Sequence, residues 1–118
     1  MTLRITNATR GTELASEARA ARSVWSRLVG LLGRARLSPG DGLMIERCNS
    51  IHTAFMRFAI DAVYVDRSGR VLKTVSHLKP FRVSGVLKGG GSVIELPAGT
   101  ITNTDTAAGD ELRIETKA

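Results

Sequence analysis

The stretch that decides the fold runs from Cys48 to Asp66 and reads CNSIHTAFMRFAIDAVYVD. Successive strand residues face opposite sides, so Phe58, Ile60, Ala62 and Tyr64 share one face and Ala59, Asp61, Val63 and Val65 the other. Both faces are apolar apart from Asp61. A strand of this kind is covered on both sides and belongs in the middle of a small barrel or layered sheet. Asp61 is then a carboxylate among valines, and a buried charge needs hydrogen-bond partners or a chemical use.

Working outward, Asp66-Arg67-Ser68-Gly69-Arg70 has the polar and glycine content of a hairpin loop, and Val71 to Leu78 reads as the returning strand, stopped by Pro80. Upstream, Gly42 to Glu46 is a short apolar strand behind the turn LSPGDG at 37–42. Ser23 caps a predicted helix whose Val24, Trp25, Leu28, Leu31 and Leu32 form one apolar stripe, ending at Gly33. Leu3 to Thr6 and the Ala-rich Thr12 to Ala21 are the first strands, joined by a turn at 7–11. Downstream, Ser92 to Leu96 and Glu111 to Glu115 are the last strands, with one helical turn expected between Thr100 and Ala108. Many short strands and one good helix predict a mainly β fold. We expect a small, closed or partly open antiparallel β-barrel with one capping α-helix.

With 118 residues the chain is long enough for one core, so residues 1–118 are read as a single domain. The 42% hydrophobic and 24% charged content is that of a globular protein rather than a disordered one. The formal net charge of +6 is concentrated in the first half, where residues 1–59 carry nine Arg against four acids. That excess is compatible with attraction to phosphate. One Trp, one Tyr and three Phe, however, leave no aromatic platform for stacked bases, which counts against nucleic acid as a partner. A single cysteine closes no internal disulfide. The absence of a leader or an apolar run of about eighteen residues gives an expected cytoplasmic location with no membrane insertion.

The runs RLVGLLGR and GLMIERCNSIHTAFMRFAIDAVYVDRSGRVL, then Pro80, VIELPAGT and Gly109-Asp110, together resemble the prokaryotic family called domain of unknown function 192. The resemblance extends from about Trp25 to Ile114. It implies a compact barrel of barwin-like or double-psi-like kind with no established activity. The matched positions are Gly30, Leu31, Gly42, His52, Met56, Asp61, Asp66, Pro80, Glu95, Pro97, Gly99, Gly109 and Asp110. Where many relatives carry Trp-Met-Lys-Asn-Thr, this chain has Ala54-Phe55-Met56-Arg57-Phe58.

The chemistry-bearing candidates follow. Asp61 is either a general acid with a raised pKa or an acceptor that secures a loop. His52 titrates near neutrality and is the natural proton carrier of any catalysis. Glycoside cleavage requires a second carboxylate, for which Glu95, Asp110 and Glu46 are candidates. Cys48 and His52 stand about 13 Å apart in extended chain, too far for a thiol and its base. Cys48, His52 and Met56 would meet at a metal only on a helix, so neither metal nor cofactor is expected. Lys88 precedes its glycines and a strand follows them, which is not the phosphate-cradling arrangement. The leading expectation is a binding module whose pocket of His52, Thr53, Met56, Asp61 and Glu95 takes a small polar or glycan-like ligand. The alternatives are a glycoside hydrolase using Asp61, His52 and Glu95, and a basic accessory protein of nucleic acid.

Overall fold

The computed structural model describes residues 2–21, 38–46, 58–79 and 91–117. Seven strands lie within them: β1 (Thr2–Asn7), β2 (Thr12–Ala21), β3 (Asp41–Glu46), β4 (Ile60–Val65), β5 (Val71–Leu78), β6 (Ser92–Pro97) and β7 (Leu112–Lys117). One short helix, α1 (Thr100–Thr104), stands between β6 and β7. The predicted helix at 23–33 lies outside the described residues, as do Cys48, His52, Thr53 and Met56.

The strands form one sheet in the order β5-β4-β6-β3-β2-β1-β7. Every residue of β4 is buried, as the two-sided apolar pattern predicts. The turn from Asp66 to Arg70 reverses the chain so that β4 and β5 pair antiparallel.

One expectation about the sheet requires correction and another is narrowed. It is mixed rather than antiparallel, because β2 and β3 run parallel, with Ala18 opposite Gly42. A parallel neighbour needs a crossover of about a dozen residues or more, and residues 22–40 supply that length. Of the two forms expected for the barrel, closed or partly open, the sheet is not closed among the described residues. It curls until the residues leading into its two outer strands meet, and among the described residues the one isolated bridge there is Arg70 to Glu111. Three backbone bonds accompany that contact: Leu112 N–H to Gly69 O at 2.9 Å, and Val71 N–H to Asp110 O and Gly109 N–H to Val71 O, both at 2.8 Å. Gly69 is required there. Its φ is +92°, and a Cβ would stand 2.7 Å from the Leu112 carbonyl oxygen.

Curling divides the core by face. Ile5, Leu14, Ala15, Ala18, Val63, Val65, Val71, Ile94, Leu96, Ile101 and Leu112 form one cluster. Because both outer strands contribute to it, this is the enclosed side. Leu43, Ile45, Ile60, Ala62, Tyr64 and Val93 form a second cluster, on the outer face of β3, β6 and β4. The alanines that make β2 a weak strand by propensity serve the enclosed side. Ala15 and Ala18 pack within 3.2–3.3 Å of where a Cβ on Gly42 would be, so small residues on both strands permit close approach. Ile101 brings α1 onto the enclosed cluster at the end of the sheet where β6 finishes.

Candidate functional site

An acid stands near each end of β4, Asp61 within the strand and Asp66 one residue beyond it, and the two have different surroundings. Asp61 is fully buried. Its Oδ1 accepts the backbone N–H of His77 at 2.9 Å. Its Oδ2 accepts the N–H groups of Gly99 at 3.1 Å and Ile101 at 2.8 Å. These donors are available for identifiable reasons. Between Ile60 and Ala62 the register of β4 against β5 advances two residues on one strand and three on the other, from Leu78 to Val75. The extra residue forms a bulge, and His77 sits there with φ of +53°. Gly99 takes a left-handed conformation at the start of α1, and the Ile101 amide belongs to the first turn, which has no bond within the helix. Asp61 thus ties β4, β5 and α1 together.

The His77 ring is largely exposed, with Nδ1 4.0 Å from Asp61 Oδ1. Among the described residues, the hydrogen bond from His77 to Asp61 is made by the backbone. His77→Gly keeps the N–H and removes a side chain from the left-handed region, so it is expected to stabilise the fold by about 1 kcal/mol. Thermal melting of the variant checks this, and a lower melting temperature would count against strain at the bulge.

Glu95 is also fully buried but faces the other way. In the register of β6 it lies opposite Leu43 on one side and Ala62 on the other, within the outer cluster. Asp61 lies opposite Leu96, on the enclosed face. The sheet itself separates the two carboxylates, so they do not form a pair flanking one substrate bond.

Asp110 belongs to a third arrangement. Its Oδ2 accepts Asn7 Nδ2 at 2.9 Å, the Ala107 N–H at 3.0 Å and Arg10 Nε at 3.2 Å. Asn7 Nδ2 also reaches Thr106 Oγ1 at 3.2 Å, and Asn7 Oδ1 accepts the Arg10 N–H at 3.1 Å. The Asn7 bond, above all, holds the Asp110 carboxyl below its ordinary value of 3.8, against an opposing pull from burial. A carboxylate depressed on folding contributes stability that is complete above its unfolded value and lost as pH falls through its folded one. Stability is therefore expected to be level from neutrality to about pH 4 and to drop below it. In Asp110→Asn that acid limb should be shallower, as measured by urea unfolding at pH 7, 4 and 3.

At the other end of β4, about 17 Å along the strand from Asp61, Asp66 organises the hairpin. Its Oδ1 accepts Ser68 Oγ at 2.7 Å and the N–H groups of Ser68 at 2.9 Å and Arg70 at 3.0 Å. The Ser68 hydroxyl, then the Arg70 amide, hold this carboxyl below its usual value. All three bonds fall on one oxygen. A groove of about 640 Å³ opens here, lined by Met44, Val65, Asp66, Arg67, Gly69, Gly91, Ser92 and Ile114. Gly91 fits against the hairpin, for a Cβ there would meet Arg67 N at 3.0 Å. Ligand pockets fall in this size range.

Of the residues proposed for the site, Asp61 and Glu95 are described and stand on opposite faces, whereas the groove is lined by residues outside that set, among them Asp66, singled out only as a matched family position and a hairpin residue. Arg67 and Ser92 carried no motif that could have marked them. Gly91 was visible only as the last of the glycines that follow Lys88. Among the described residues no group of three or more His, Cys, Asp or Glu is placed to hold a metal. Among them also, no helix is long and apolar enough to cross a membrane.

A curled, mixed sheet with acids fixing its turns and a groove at one end defines a class of small mainly β domains. More particularly, the chain belongs to the family DUF192, described as uncharacterized ACR, which matches over residues 5–114. Two crystal structures are similar in fold. A protein of unknown function from Novosphingobium aromaticivorans has a TM-score of 0.78 at 16% identity, over 94% of this chain and 82% of that one. A putative transcription regulator from Sinorhizobium meliloti has a TM-score of 0.76 at 19% identity, over 94% and 90%. No curated protein matches the sequence.

Proposed function

We propose that this protein is a binding module for a small polar ligand, held in the groove between the β4–β5 hairpin and the start of β6. The observation that carries this reading is the set of groups lining the groove. Apolar Met44, Val65 and Ile114 stand beside the acid Asp66, the base Arg67 and the hydroxyl of Ser92. Such a mixture of apolar wall and few polar groups is what orients a small molecule. A glycosidase working through Asp61 is the weaker reading, since three backbone N–H groups occupy that carboxylate and Glu95 faces away from it. A nucleic-acid role has less support still. Arg4 pairs with Glu13, Arg10 with Asp105 and Asp110, Arg70 with Glu111, and Lys117 with Glu17. The likeness to a putative regulator, at 19% identity, is one of fold.

Thermal-shift measurements against free sugars, amino acids, dipeptides and nucleosides test the proposal. At least one class is expected to raise the melting temperature of the native protein but not of Arg67→Ala. A ligand that stabilises both equally would place binding elsewhere, and glycoside hydrolysis abolished by Asp61→Asn in a folded protein would restore the enzyme reading.

A further inference from the structure

Resting on the binding reading above, we infer that the groove takes a zwitterion of amino-acid or dipeptide type with an apolar side chain. Asp66 and Arg67 are adjacent and both line the groove, yet no ion pair joins them. The three side-chain bonds of Asp66 all go to Oδ1, so Oδ2 retains its full accepting capacity within the described residues. The exposed Arg67 makes no hydrogen bond or ion pair among the described residues, although a basic side chain near it does. Arg70, three positions on, is bonded to Glu111 at 3.2 Å. A carboxylate oxygen with unused lone pairs calls for an ammonium or hydroxyl donor, and an unpaired guanidinium calls for a carboxylate or similar anion.

The remaining lining fixes the rest of the ligand. Met44, Val65 and Ile114 come from β3, β4 and β7 and continue the enclosed core toward the mouth. Their apolar surface suits an aliphatic side chain. A ligand with opposite charges at one end and a hydrocarbon body satisfies all three features together. A sugar leaves the guanidinium without an anion and the Met44–Val65–Ile114 surface without an apolar partner. A simple amine or acid satisfies only one of the two charges.

The test compares leucyl-leucine and leucine with two truncated probes, isoamylamine and 4-methylpentanoate, by calorimetry and by amide chemical shifts. The zwitterions are expected to bind at least tenfold more tightly than either truncated probe, with shifts at Asp66 to Gly69, Gly91 and Ser92. Arg67→Ala should abolish the advantage over isoamylamine. Asp66→Asn keeps an oxygen for the hairpin bonds while replacing the second oxygen by a donor, and should abolish the advantage over 4-methylpentanoate. If the truncated probes or sugars bind the groove as tightly as the zwitterions, the inference is overturned and the binding module stands. If no compound shifts the groove amides, both fall.

Discussion

Asp61→Ala is expected to lower the melting temperature by more than about 12 °C, which corresponds to a loss of about 3 kcal/mol or more. The magnitude follows from what the substitution leaves behind. Three backbone N–H groups, from His77, Gly99 and Ile101, lose a charged acceptor in a place where Asp61 itself is fully buried. Bonds to charged groups contribute about 1.5–3 kcal/mol each, and donors left buried without an acceptor add their own cost. Asp61→Asn should be milder in shape but still damaging, because an amide offers one acceptor oxygen where the native group offers two. Differential scanning calorimetry gives the result. A change of only a few degrees in Asp61→Ala would mean that water replaces the carboxylate and that the tie between β4, β5 and α1 contributes little.

The second large effect is expected at Asn7, the last residue of β1 and fully buried. Asn7→Ala removes the amide that joins Asp110 to Thr106 and the oxygen that receives the Arg10 N–H. A loss of about 2–3 kcal/mol is expected at neutral pH. A second readout separates this account from simple loss of packing. Because the Asn7 bond is the largest cause of the depressed Asp110 carboxyl, its removal makes the acid limb of the stability curve shallower, so the destabilisation is larger at pH 7 than at pH 3. Equal destabilisation at pH 7 and pH 3 would contradict the role assigned to the bond.

Both residues show how much of the site could be read from sequence. The strand that buries Asp61 was legible because alternation with period two is local, and apolar residues on both of its faces announce burial. The hairpin after it was legible for the same reason, through Asp66, Ser68 and Gly69. The partners of Asp61 were not. His77 donates because a bulge frees its amide, and Gly99 and Ile101 donate because a turn far along the chain is brought over β4. Neither event leaves a pattern in residues near Asp61. The pairing of Asp61 with Glu95 failed because strand register decides which face a residue occupies, and a shift of one position reverses it. The parallel β2–β3 pair was missed likewise, since direction depends on the crossover and not on the strands. Asn7 looked like an ordinary turn residue, and its bonds to residues about a hundred positions away have no sequence signal.

The account assigns the two acids near the ends of β4 separate tasks, Asp61 to the fold and Asp66 to the mouth of a binding groove. The most direct test is an amide chemical-shift map of the native protein saturated with the tightest-binding compound among sugars, amino acids, dipeptides and nucleosides. The predicted changes centre on Met44, Asp66 to Gly69, Gly91, Ser92 and Ile114, with Asp61, His77, Gly99 and Ile101 unmoved. Changes centred on those last four residues would contradict the account and return the functional site to Asp61.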